Sequence, residues 1–137
     1  MRRYDQHEAV KMVLELLSSH GIESTRHLKV GDNINIKSFK NGKTANLLVR
    51  HLEKDHAYKN SPLPYQVFKV EAFDDNEERD ESVKQLDFVI GYNFMENSFA
   101  CVPIEEFKDK RSTVVHEKEG NRHQYYNSLF SLEEFFQ

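Results

Sequence analysis

Six cations lie close together in this 137-residue chain: Lys37, Lys40, Lys43 and Arg50, followed by Lys54 and Lys59. From residue 24 to residue 70, nine Lys and Arg stand against three acids, a local +6, although the whole chain carries −4. Residues 71–87 reverse the sign, with eight acids against Arg79 and Lys84. The chemistry open to the basic set is electrostatic, because lysines and arginines that neutralise phosphates release the counterions condensed on a nucleic acid. The acidic set, from Asp74 to Asp87, would instead engage a basic protein partner. Charge is therefore segregated, and a positive field can exist locally in a chain whose total argues against a bulk basic footprint.

Other chemistries lack the spacing they need. Cys101, the one cysteine, sits in the apolar run SFACVPI. It cannot form an internal disulfide and reads as a buried structural thiol. His51 and His56 are followed by His116 and His123 only far downstream, so no paired Cys/His spacing for zinc arises. No glycine-rich phosphate loop and no Gly-X-Ser-X-Gly elbow is present. Tyr125-Tyr126 beside Arg122 and His123 could stack on a base, or simply pack the last element onto the core. No run of about 18 apolar residues exists, which argues against a membrane span. The start, MRRYDQHEAV, lacks the apolar stretch of a secretory signal, so a cytoplasmic location is expected.

The elements that position these residues follow from periodicity. Asp5-Gln6-His7-Glu8 has capping-box spacing, and Val10, Val13, Leu14 and Leu17 recur at i, i+3, i+4, i+7. Together with Gly21 as a stop, they predict a helix over 6–20. Asn41-Gly42 is a tight-turn signal between the alternating Ile34, Ile36 and Leu47, Val49, which predicts a two-stranded hairpin. Residues 51–64, with two prolines, read as a loop, 65–73 as a strand and the acidic stretch 74–84 as a surface loop. LDFVIGY (86–92) and FACVPI (99–104) read as buried strands. Residues 105–111 read as a short helix or turn, 113–116 as an edge strand and 121–137 as a helical region with a second capping box at Ser131–Glu134. The fold class is α/β (α+β): a single domain, 1–137, with a central mixed β-sheet flanked by helices.

This order, with EAVKMVLELLSSHGIE as helix, VGDNINIKSFKNGKTANLLVRH as hairpin, then LDFVIGY and FACVPIEEF as core strands, resembles the restriction-endonuclease-like PD-(D/E)XK superfamily. Among its members, the small intron-associated and Holliday-junction-resolvase-like nucleases are most similar. The resemblance implies a metal-binding acid on the helix, an Asp on the first hairpin strand and a carboxylate-X-Lys triplet on the second. Carried over, the Asp falls on Asn35 or, in a shifted register, on Asp32, and the triplet falls on Leu48-Val49-Arg50. Leu48 cannot bind Mg²⁺, which demands hard oxygen ligands. Arg50 keeps a positive charge but stays permanently protonated, so it replaces an activating lysine poorly. On this register the fold has lost nuclease chemistry and needs no cofactor. A rival register gathers Glu8 or Glu15, Asp32, Asn46 and Lys37 into a relocated site, with Asp32 as ligand and Mg²⁺ as cofactor.

Three functions follow as expectations. The first is a catalytically degenerate nuclease-fold protein that binds DNA or RNA through Lys37, Lys40, Lys43, Arg50, Lys54 and Lys59. The second is an inhibitor, immunity-like factor or accessory subunit that uses the acidic 74–87 segment. The third is a metal-dependent endonuclease in which Glu8, Asp32, Asn35, Lys37 and Arg50 do the chemistry. The resemblance also implies a homodimer.

Overall fold

A computed structural model describes residues 6–29, 32–52, 67–94 and 97–137. Asp5 of the expected first capping box, Lys54, Lys59 and most of the expected 51–64 loop lie outside the described residues.

Helix α1 (Gln6–Ser19) buries Ala9, Val10, Val13 and Leu17 along one stripe. It ends in a Schellman arrangement in which Ile22 N–H donates to Leu17 O at 3.0 Å and Gly21 N–H to Ser18 O at 3.0 Å. Gly21 takes the left-handed φ of 72° that this stop requires. A short strand not expected from the sequence follows, β1 (Glu23–Arg26), whose four polar residues carry no apolar alternation. The expected hairpin is β2 (Ile36–Lys40) and β3 (Lys43–Leu52), joined by Asn41 and Gly42 at φ 53° and 77°.

Strand β4 (Val67–Glu71) leads into α2 (Asn76–Val83), where a loop was expected. The reason is local: Asp75 caps the helix, accepting Glu78 N–H at 2.7 Å, and Glu78 reaches back to the amide of Asp74 at 3.3 Å. Strands β5 (Phe88–Asn93) and β6 (Ser98–Pro103) fill the two apolar runs. After a 3-10 turn (Ile104–Phe107) comes β7 (Ser112–His116). The expected C-terminal helical region resolves into a 3-10 turn (His123–Tyr125) and a short α3 (Phe130–Phe135). The expected second capping box does not form: Leu129 is the N-cap of α3 without a side-chain cap bond, and Ser128 Oγ, one residue earlier, accepts Phe130 N–H at 3.1 Å.

The main sheet runs β1-β2-β3-β5-β6, with β3 and β5 parallel and the other pairs antiparallel. β4 and β7 form a separate antiparallel pair. Residues alternate along β3 between two cores. Ala45, Leu47 and Val49 face α1 and α3, whereas Leu48 faces Phe68, Val70 and Val115 of the small sheet. Gly91 lets the layers close: a Cβ there would meet Phe68 Cε1 and Val70 Cγ2, each at 3.1 Å. The expected mixed sheet flanked by helices is the architecture observed.

Candidate functional site

Parallel pairing of β3 with β5 brings the C-terminal half of β3 beneath the first turn of α1. Four groups from three separate stretches of the sequence meet there. Asn35 lies just before β2, and its backbone is fixed by Asn35 N–H donating to Leu47 O at 2.8 Å and Asn35 O accepting His27 N–H at 2.9 Å. Its Oδ1 accepts Val49 N–H at 2.8 Å and Gln6 Nε2 at 3.3 Å. Gln6 Nε2 also donates to Val49 O, and Gln6 Oε1 lies 3.3 Å from His51 Nδ1. Val49 and His51 are two residues apart on one face of β3, which is the face α1 covers.

This network consists of uncharged amides and an imidazole. It does not fit the magnesium ion that the family resemblance implies. Both amide oxygens are already engaged, and Mg²⁺ needs anionic oxygens near octahedral geometry. Among the described residues, no group of three or more His, Cys, Asp or Glu is placed to hold a metal.

The residues singled out from sequence do not meet as one set. Glu8 is two positions beyond Gln6, about 200° round the helix at 3.6 residues per turn. Asp32 is tied down, with Oδ2 3.0 Å from His27 Nε2 and Oδ1 accepting Ile34 N–H at 3.1 Å. Burial pushes the Asp32 carboxyl up, but the His27 hydrogen bond, the Ile34 amide and the charges of His27 and Lys29 outweigh it and hold it below the usual value. Lys37 alternates with the buried Ile36 and Ser38, so it stands on the sheet face away from α1, opposite Thr25 and Asn46. Asn46 donates through Nδ2 to Gln85 O at 3.0 Å, away from Asn35. Glu15 lies two turns along α1, exposed at the rim of a 280 Å³ cavity with Tyr92 and Asn97.

Arg50 also faces away from α1. Its Nε donates to Ala72 O at 2.9 Å, and a terminal nitrogen lies 3.3 Å from Glu78 Oε1. Burial lowers the guanidinium's proton affinity, and Glu78 and Asp74 act against that. Lys43 is committed to the far end of the hairpin, donating to Phe135 O at 3.2 Å and to Gln137 O. It complements the carbonyl end of α3. Gln6 and His51 were not singled out from sequence, because only the tertiary fold brings them to Asn35. The signal that existed was alternation: with Leu47 and Val49 inward, His51 follows inward and Arg50 must point the other way.

The remaining expectations resolve as structure. Cys101 is fully buried, and its thiol is pushed up to about 12 by desolvation. Tyr126 packs edge-on against Phe68 at 6.1 Å, and Tyr125 donates to Glu106 Oε2 at 3.3 Å.

Asp87 clamps β3 to β5: its Oδ2 accepts Asn46 N–H at 2.8 Å, and its own N–H donates to Asn46 O at 2.8 Å. Burial raises the carboxyl above its ordinary 3.8, the Asn46 amide opposes this, and the charge of Glu105 raises it further. The native state therefore binds this proton more tightly than the unfolded chain, so stability is lost as pH rises through the folded value. Asp87→Asn keeps an oxygen for Asn46 and removes the charge. Its melting temperature should exceed that of the unaltered chain at pH 7, with the gap closing below about pH 4. A lower value at pH 7 would mean that the clamp needs an ionised acceptor.

No protein-family model and no curated protein matches the chain by sequence. Solved structures do match by shape. The bacterial homing endonuclease I-Ssp6803I superposes with a TM-score of 0.62 at 12% identity, covering 94% of this chain and 90% of that one. Hjc, a Holliday junction resolvase from Archaeoglobus fulgidus, gives a TM-score of 0.54 at 11% identity over 96% of this chain and 98% of that one. At these identities the likeness establishes shape, and with the sheet order and the helix above the hairpin it leads to one conclusion: the chain has the restriction-endonuclease-like fold.

Proposed function

We propose that this chain is a catalytically degenerate nuclease-fold protein that binds nucleic acid. The observation that carries the reading is the Gln6–Asn35–Val49–His51 network, in which two amides stand at positions where the family resemblance implies acids. Asn35 stands for the strand Asp and Gln6 for the helix acid. Val49-Arg50-His51 stands for the carboxylate-X-Lys triplet, one residue beyond the register Leu48-Val49-Arg50. The shift is supported by strand geometry, since Val49 and His51 share a face with Asn35 whereas Leu48 and Arg50 lie on the other. The four described members of the network bring no anionic oxygen of their own, so the charge that would hold an activating dication is not supplied by them.

Of the hairpin cations, Lys37 and Lys40 are in no ion pair with a described residue; three positions apart on β2, they stand on opposite faces of the sheet, Lys40 on the side of α1, where Arg26 reaches the His7 carbonyl. Purified protein titrated with duplex and branched DNA, first without metal and then with Mn²⁺, should bind in both series and cleave in neither. Affinity should fall linearly on a log–log salt plot, and Lys37→Ala/Lys40→Ala should flatten that slope by about 1 per lysine. Absence of binding at low salt would overturn the reading. So would metal-dependent cleavage lost on Asp32→Ala, which would favour the relocated site.

The acidic segment supports a second reading, capture of a basic protein partner. Glu77, Asp80 and Glu81 are exposed on α2, whereas Asp75 caps the helix and Glu78 is paired with Arg50. Charge reversal should therefore be confined to the first three, because reversal at Asp75 or Glu78 would disturb the helix itself.

A further inference from the structure

We propose that the groove between α3 and the paired ends of β5 and β6 is a docking site for an arginine side chain presented by a basic protein segment. The groove has a volume of about 340 Å³ and is walled by Phe88, Pro103 and Phe135, with Glu105, Ser131 and Glu134 at its rim. It is assembled from three elements. Phe88 and Pro103 are register partners at the end of the main sheet, Glu105 lies in the following 3-10 turn, and Ser131, Glu134 and Phe135 share one face of α3. Phe88 and Phe135 hold each other edge to face, centroids 5.7 Å apart at 89°, so the aromatic floor is braced from within.

The composition of the walls selects the occupant. Glu105 and Glu134 are both exposed, and neither carboxylate forms a hydrogen bond or ion pair with a described residue. Asp87 lies next to Phe88 and feels the charge of Glu105, and Lys43 sets one cation on the Phe135 carbonyl at the end of α3. The half-buried ring of Phe135, braced by Phe88 at 5% exposure, lies beneath two carboxylates and suits a planar, weakly hydrated cation that can stack and donate at once. Guanidinium meets that description better than an ammonium, whose compact charge holds its water. The segment that contributes β5, β6 and the 3-10 turn is acidic, residues 71–111 carrying twelve acids against five Lys and Arg, which favours a cationic partner over phosphate. Nucleic acid is thereby directed to other surfaces of the molecule.

The test is a titration of the full chain with a labelled peptide of alternating Arg and Gly, read by anisotropy and by the ring-proton shifts of Phe88 and Phe135. Saturable binding should move both rings. Glu105→Gln/Glu134→Gln should weaken binding at least tenfold, and Glu77→Gln/Glu81→Gln on α2 should change it less than threefold. A Lys-Gly peptide of the same length should bind several-fold more weakly. Equal losses in the two double variants would overturn the proposal by showing diffuse attraction, as would binding that leaves both rings unmoved. Equal ring shifts with spermine would also overturn it, because a small polycation would then be the occupant. Both variants alter only exposed side chains, so a common melting temperature would establish that the fold is intact.

Discussion

Gln6→Glu/Asn35→Asp is expected to acquire a manganese-dependent rise in melting temperature that the unaltered chain lacks. The two side chains already meet at 3.3 Å beside the Val49 carbonyl and His51 Nδ1. Replacing both amides by carboxylates keeps the side-chain shapes, removes the Gln6 Nε2 donor that Val49 O and Asn35 Oδ1 share, and adds two charges. Without metal, two carboxylates at that distance repel, one proton affinity rises, and the fold should lose about 1–3 kcal/mol at neutral pH. That loss should shrink on acidification, because protonating one carboxyl removes the repulsion. With Mn²⁺ at a hundred times its dissociation constant, stabilisation should reach about 2.7 kcal/mol. That corresponds to a shift on the order of 5–10 °C for a domain of this size. Asn35→Asp alone should respond more weakly. Calorimetric scans with and without Mn²⁺ decide the matter. A double variant that folds and stays indifferent to the metal would mean that this network is not a metal site stripped of its charges.

The legibility of the chain follows the range of each interaction. Helix α1 and the Asn41–Gly42 hairpin could be read because their signals are local: an apolar stripe, a left-handed glycine stop and a two-residue turn. The buried strands β5 and β6 were legible as uninterrupted apolar runs. Helix α2 was missed because NEERDESV buries only Ser82 and has no apolar stripe, although the Asp75–Glu78 capping spacing was present. Strand β1 was missed because ESTR lies at the sheet edge, where polar residues suffice. For the candidate site, Asn35 is readable from sequence because it lies beside the hairpin. Gln6 is 29 residues away and His51 meets it only through tertiary packing. Lys43 illustrates the converse: its charge suggested phosphate, whereas the structure sets it on carbonyls at the end of α3.

Arg50→Leu should cost about 2 kcal/mol of stability and leave nucleic-acid affinity nearly unchanged, reversing the role its charge suggested in the sequence. The guanidinium bridges two layers, from β3 to Ala72 O and to Glu78 of α2. Removing it strands a partly buried carboxylate and an acceptor, and losing one partner of such a pair costs more than losing both. The pair is about a quarter exposed, with side-chain exposures of 28% and 25%, so solvent reduces the loss below that of a fully buried bridge. Arg50→Leu/Glu78→Leu should therefore recover much of the stability, since no unpaired charge remains. Glu78 also answers the Asp74 amide, which limits the recovery. Urea unfolding of the two variants measures the difference, and a DNA titration at fixed salt measures the affinity. An Arg50→Leu protein that is fully stable but loses DNA binding severalfold would return Arg50 to the phosphate-binding surface. A destabilised protein with unchanged affinity would establish that Arg50 holds the acidic helix against the sheet.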